Sequence, residues 1–260
     1  DREYREMRSW QWSFNASYGN TFGRHSVFAG VDGSLYETKN LGYILWLRGF
    51  ANDNLTDISN AAGFANERPS STDTHSRQAG FTVTGNYNYD SRYFFDFSYR
   101  LDGSSSFGSQ NRFAPFWSIG VGINLHKFDF IQNLGFINQL KIRGSFGQTG
   151  KVNFPAYAAR TSYQVFTDEW YKTGYGAVLK ALGNKSLTWE TTNTLDIGGE
   201  ISLFDDFIYL KGSYYDKKTV DLVTDVTVPT STGFTSYRNK IGAVSYTHLR
   251  AHETTLQLVC

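Results

Sequence analysis

Phe81-Thr82-Val83-Thr84-Gly85-Asn86-Tyr87-Asn88-Tyr89-Asp90-Ser91-Arg92-Tyr93-Phe94-Phe95-Asp96-Phe97-Ser98-Tyr99-Arg100 is the stretch that decides the fold. Its apolar residues recur every second position, the period of a strand with one greasy and one wet face. A turn at Asp90-Ser91-Arg92 sets Tyr87 against Phe95 and Gly85 against Phe97 on one face. On the other it sets Asn86 against Asp96 and Thr82 against Arg100. A slip of one residue would scramble both faces, so the agreement predicts a hairpin with this register. Aromatic cross-strand pairs of this kind contribute roughly 0.2–1 kcal/mol each.

The same period extends outward in both directions. Trp10, Trp12, Phe14, Ala16 and Tyr18 alternate with Gln11, Ser13, Asn15 and Ser17. Trp117 to Leu125, Leu140 to Phe146, Leu195 to Leu203 and Ile208 to Tyr214 behave alike, and His25 to Tyr36 does so more weakly. A two-residue turn at Asp205-Asp206 brings Leu203 to Ile208 and Ile201 to Leu210 on the apolar face, and Glu200 to Lys211 on the polar one. Connections alternate between short and long. The long ones follow Tyr36, Leu101, Gly147 and Tyr215, while a helical turn is expected between Phe128 and Gln139.

Composition fits strands. Aromatics are 17% of residues and there are 25 glycines but only four prolines, the profile of strands joined by turns. Mean hydropathy is −0.41, and no apolar run approaches the roughly 20 residues of a membrane helix. That excludes a helical membrane protein and leaves a membrane β-barrel, whose strands are only half apolar. A net charge of +1 points away from nucleic acid. The opening Asp1-Arg2-Glu3-Tyr4 carries neither Met nor a signal peptide, so a processed or truncated chain is expected. The single cysteine, Cys260, rules out a disulfide framework.

The polar face carries Asp96, Arg100, Lys141, Arg143, Asp196, Glu200 and Lys211. In a membrane barrel these charges line an aqueous lumen and the apolar face meets lipid; in a soluble sandwich they mark a solvated face over a buried core. Short turns at one end, long loops at the other and aromatics near strand ends favour the barrel.

Several motifs sharpen this. His75-Ser76-Arg77 leads into Gly85-Asn86-Tyr87-Asn88-Tyr89 and Arg92-Tyr93; then follow Tyr99-Arg100-Leu101-Asp102-Gly103-Ser104-Ser105-Ser106-Phe107-Gly108 and Phe116-Trp117-Ser118-Ile119-Gly120-Val121-Gly122. Beyond these lie Leu140-Lys141-Ile142-Arg143-Gly144-Ser145-Phe146-Gly147-Gln148-Thr149-Gly150, Leu187-Thr188-Trp189-Glu190-Thr191-Thr192, Tyr214-Tyr215-Asp216-Lys217-Lys218-Thr219, Thr232-Gly233-Phe234 and Asn239-Lys240-Ile241-Gly242. In order and spacing they resemble SusC/RagA-type TonB-dependent outer-membrane transporters, with Trp117 where that family usually has Pro. The resemblance covers residues 1–244. It implies an all-β fragment, an antiparallel transmembrane β-barrel portion of about eight strands out of about 22. It also implies an outer-membrane importer of oligosaccharides or peptides. That importer would be energised through the TonB complex by an N-terminal region absent here, and would work with a SusD-like surface lipoprotein. The alternatives are a passive porin or adhesin barrel, or a soluble β-sandwich carbohydrate-binding module.

Residues 245–260, Ser245 to Cys260, resemble translated sequencing-adapter sequence, and a non-native tail of local helical propensity is expected there. His248 and His252, four apart beside Glu253, have the spacing of a zinc pair on a helix, but foreign sequence explains them better. No phosphate-binding loop, dinucleotide fingerprint or nucleophile elbow occurs, so the chain is expected to be no enzyme and to need no cofactor. Asp168 and Glu169 fall in a polar loop. Beside them, Trp170, Tyr171 and Tyr175 form an aromatic cluster suited to stacking on a sugar ring.

Overall fold

The structure, a computed structural model, describes residues 2–254 apart from 53, 66–68, 108–110 and 155–156. Side chains at 167–170 and 248–254 lie outside that description. In chain order the strands are β1 (Arg2–Phe22), β2 (His25–Leu45), β3 (Leu47–Arg48), β4 (Gly63–Phe64), β5 (Ser70–Tyr89), β6 (Tyr93–Ser104) and β7 (Phe113–Asn124). After one helical turn, α1 (Asp129–Gln132), come β8 (Ile137–Lys151), β9 (Ser162–Tyr171), β10 (Gly174–Ala181), β11 (Glu190–Leu203), β12 (Ile208–Val220), β13 (Val223–Thr227), β14 (Ser236–Lys240) and β15 (Ala243–Thr254).

One antiparallel sheet carries the molecule, in the order β1-β2-β5-β6-β7-β8-β11-β12-β15. Both predicted registers hold. Tyr87 faces Phe95 and Thr82 faces Arg100; Leu203 faces Ile208 and Glu200 faces Lys211. The turn chemistry explains why. Asp205 and Asp206 both take left-handed backbone, φ 57° and 66°, and the Phe207 N–H closes onto the Phe204 carbonyl. Aspartate tolerates this conformation and its twist matches that of the flanking strands. Asp90 and Ser91, each at φ 53°, do the same between β5 and β6.

Because partners across a ladder share a face, the register fixes one apolar surface. Tyr18, Ala29, Gly85, Phe97, Ile119, Phe146 and Leu195 run across seven successive strands in a single row. Trp12, Phe95 and Val121 lie on the same face and are 54%, 43% and 55% exposed. Among the described residues no second layer covers them: the remaining sheets are the two-stranded pairs β3-β4, β9-β10 and β13-β14 within the long connections. A sandwich would bury this face, so the soluble-module reading fails on packing. The buried apolar residues Phe107, Phe116, Ala159, Leu187 and Val223 gather elsewhere, toward the long connections.

Two expectations change. The His25 to Tyr36 strand runs on to Leu45, paired with β1 down to Arg2 and with β5 up to Ser70; backbone bonding continues where side-chain alternation has stopped. The expected local helix in the tail is instead extended backbone, β15, paired with β12 through Thr254. The unpaired edge of β12 offers a row of hydrogen-bonding groups that extended chain satisfies.

Candidate functional site: the polar face and its loop cover

All seven charges singled out from the sequence share the face opposite the aromatic one. Lys141, Glu200 and Lys211 stand side by side on β8, β11 and β12, with Lys211 Nζ 2.8 Å from Glu200 Oε1. Arg143 reaches Asp196 at 3.8 Å. Arg100 Nε donates to the Asp102 carboxylate at 2.7 Å. Asp96 accepts from Asn86 Nδ2, and Lys141 Nζ sits 5.3 Å from the centre of the Phe94 ring. Lys211–Glu200 and Arg143–Asp196 thus pair charges between neighbouring strands, while Arg100–Asp102 pairs them within β6.

Above this face lies a packed hub that sequence reading missed. Phe107 is 1% exposed and Leu187 0%. The Phe107 ring stacks on Trp189 at 4.8 Å and meets Phe154 edge-on at 5.0 Å, while Trp189 meets Phe116 at 5.7 Å. Phe116 shares Arg100's side of the sheet, so Phe154 and Trp189, at the two ends of the long connection between β8 and β11, pack over the polar face. Buried Glu190 holds two more pieces: Oε1 accepts from the Val223 N–H at 2.9 Å and from Asn153 Nδ2 at 3.2 Å. Buried Asn184 donates to the Arg238 carbonyl at 2.9 Å, and Asn111 Nδ2 donates to the Leu187 carbonyl at 3.3 Å. Three long connections are therefore tied into one layer. The serines after Gly103 close it: Ser105 N–H donates to the Arg77 carbonyl, and Ser105 Oγ accepts from the Arg77 N–H, both at 2.9 Å. Close packing dictates glycine at position 150, where a Cβ would lie 1.9 Å from Phe116 Cζ. The only advance sign of this hub was the clustering of motifs around Phe107 and Trp189.

Beneath the hub a hollow of about 520 Å³ opens on the polar face, lined by Gln11, Gln78, Arg100, Asp102, Lys151 and Trp189 among others. The aromatic trio is less convergent than expected. Trp170 pairs with Tyr175 across the β9-β10 hairpin and Tyr171 pairs with Gly174, so alternation sends Tyr171 and Tyr175 to opposite faces. Both are exposed; the side chains of Asp168, Glu169 and Trp170 lie outside the described residues. The side chains of His248 and His252 are likewise outside them; their backbone is extended, within β15. Among the described residues, no cluster of three or more metal-ligating side chains occurs.

In the β13-β14 hairpin, Arg238 grips Asp225 with two hydrogen bonds, at 3.0 and 3.2 Å. The guanidinium holds the Asp225 carboxyl below the usual aspartate range. The lowered folded value means the pair supports the hairpin fully above the ordinary aspartate pKa and is lost as pH falls through the lowered one. Proteolytic nicking of 221–242 in the intact protein is expected to be flat from pH 8 to 5 and to rise at lower pH. Asp225→Asn is expected to remove the step.

An antiparallel sheet that is greasy on one face, charged on the other, tightly turned at one end and elaborated at the other is the wall of an outer-membrane β-barrel. Residues 1–248 match the family model "TonB dependent receptor-like, beta-barrel", and the chain belongs to that family. A TonB-dependent receptor of Formosa agariphila is 30% identical over 92% of this chain and 24% of its own length. TonB-dependent receptor SusC of Bacteroides thetaiotaomicron is 31% identical over 57% of this chain and 15% of its own. The solved RagAB peptide transporter superposes with a TM-score of 0.81 at 26% identity, over 95% of this chain and 28% of that one. The chain thus spans about a quarter or less of the curated relatives it matches. The family is one of outer-membrane transporters and not of enzymes.

Proposed function

We propose that this chain is part of the wall of an active outer-membrane importer for oligosaccharides or peptides, energised through TonB and working with a SusD-like surface lipoprotein. The observation that carries the reading is the unbroken apolar row across seven strands backed by a charged face, in a chain resembling SusC and RagAB. Asp96, Arg100, Lys141, Arg143, Asp196, Glu200 and Lys211 then line the lumen, and the loop layer above them borders the cargo's entry. Residues 245–260 are a foreign tail.

The test is uptake of labelled oligosaccharides and peptides by cells carrying the intact parent gene with its neighbouring lipoprotein gene. Uptake is expected to stop when TonB is deleted. Uptake that continues without TonB would identify a passive pore. Replacing Trp170, Tyr171 and Tyr175 by alanine one at a time in the intact transporter is expected to weaken sugar binding by about 1–3 kcal/mol for a ring that stacks, by analogy with base stacking on aromatics. Unchanged affinity rejects the aromatic contact.

A further inference from the structure

We propose that the outward face carries a binding site for the phosphate of an outer-leaflet lipid, built by Arg77, Arg112 and Arg160 above Trp10, Leu35 and Phe113. The site lies where the apolar face ends. On β1, β2 and β5 the greasy positions Trp12, Leu35 and Ala79 are followed, on the same face, by Trp10, Glu37 and Arg77. From Phe22 to Trp10, β1 climbs roughly 30 Å along the membrane normal, at about 3.4 Å per residue and about 40° tilt. That is one apolar band with its aromatic girdles, so Trp10 marks the upper interface.

A depression of about 590 Å³ occupies this level, lined by Trp10, Leu35, Arg77, Arg112, Phe113 and Arg160 among others. Glu37 is the carboxylate in its lining, and it is already engaged: Arg77 donates to it at 3.2 Å and His75 contacts it too. Among the described residues no carboxylate is paired with Arg112 or Arg160; Arg160 lies 5.9 Å from the Tyr157 ring centre. Further up the face, Arg8 is paired with Glu6. Lys39 adds another cation and Asp73 an anion. Two exposed guanidiniums are thus left without counterions, at the rim of a greasy floor. Guanidinium binds phosphate through paired, charge-assisted hydrogen bonds, while Trp10 and Phe113 offer surface to an acyl chain. A free anion would use only half of this site; a phosphorylated amphiphile uses both. The inference rests on the outward assignment of the apolar face and not on what is transported.

The experiment uses the intact parent transporter in detergent, with native mass spectrometry of bound lipid. The probes are lipid A carrying one phosphate and the same lipid after dephosphorylation. The phosphorylated form is expected to bind the unsubstituted protein more tightly. The Arg112→Gln/Arg160→Gln variant is expected to lose roughly thirtyfold in that affinity, from about 1 kcal/mol per arginine at an anionic membrane surface. Binding of the dephosphorylated lipid should not change, and Arg143→Gln on the other face should have no effect. Inorganic phosphate alone should not displace the lipid. Equal binding of the two lipids by the unsubstituted protein, an unaffected double variant, or displacement by inorganic phosphate overturns the proposal. Should the glutamine pair fail to assemble, the lysine pair, which keeps both charges, is expected to retain the phosphate preference; its loss there overturns the proposal equally.

Discussion

Val121→Arg in the intact transporter is expected to destabilise the barrel by about 2–4 kcal/mol, whereas Ser145→Arg is expected to cost almost nothing. The two positions are on adjacent strands, β7 and β8, separated by one step of register, since Ser145 faces Gly120 and Val121 faces Gly144. They differ in which solvent they meet. Val121 is 55% exposed in a row with Phe95 and Ile197, and a guanidinium there enters hydrocarbon with no partner. Ser145 lies between Gly120 and Asp196, in a hollow that holds Asp96, Lys141 and Arg143 as well, so a new cation stays in water among charges of both signs and enters no hydrocarbon. Urea unfolding in lipid vesicles, with heat-modifiable migration as the assembly check, measures both. Equal costs at the two sites would mean that the greasy face does not meet lipid. Arginine at 121 tolerated while arginine at 145 is not would invert the wall.

What could be read from the chain follows from where the information sits. The Asp205-Asp206 and Asp90-Ser91 hairpins were legible because alternation and turn chemistry are local, and a one-residue error flips every side chain. The polar row Lys141, Glu200 and Lys211 followed from the same registers. The extension of β2 through Glu37-Thr38-Lys39-Asn40 was not legible, because both faces are polar above the interface and only backbone pairing continues. The hub was illegible for a different reason. Phe107, Phe154, Leu187 and Trp189 come from connections far apart in sequence, and nothing periodic announces that loops will pack on one another. Glu190 reads as a charged residue at a strand start, yet it is 5% exposed because the Val223 N–H and Asn153 converge on it. The tail misled because its composition favours a helix, whereas the open edge of β12 decides its backbone.

The second large effect concerns that hub, and two opposite changes are expected to give one outcome. Phe107→Ala removes a ring that is almost fully buried against Trp189 and Phe154, which typically costs about 3–5 kcal/mol in transfer and cavity terms. Gly150→Val adds atoms where even a Cβ would lie 1.9 Å from Phe116 Cζ, so Phe116 must leave its contact with Trp189. In both cases the wall itself keeps its hydrogen bonds, because the hub sits over the sheet and not between its strands. The loss should therefore appear as local opening of the loop layer, with global unfolding unchanged. Hydrogen exchange on the intact transporter is the measurement. Protection at 183–189 and 223–227 is expected to fall by at least a hundredfold in either variant, since about 3 kcal/mol of local stability corresponds to more than two decades, while protection in β5, β6 and β11 below the hub stays as it was. If Phe107→Ala lowered protection throughout the barrel, the hub would be part of the wall's own stability. If it left 183–189 protected, the loops would be held by their hydrogen bonds alone, with Glu190 and Asn184 sufficient for the task. The volume-raising variant separates the hub from a ligand contact: a valine at 150 removes no group that a cargo could touch, so its matching phenotype follows only if the aromatic packing itself fixes the loops over the polar face.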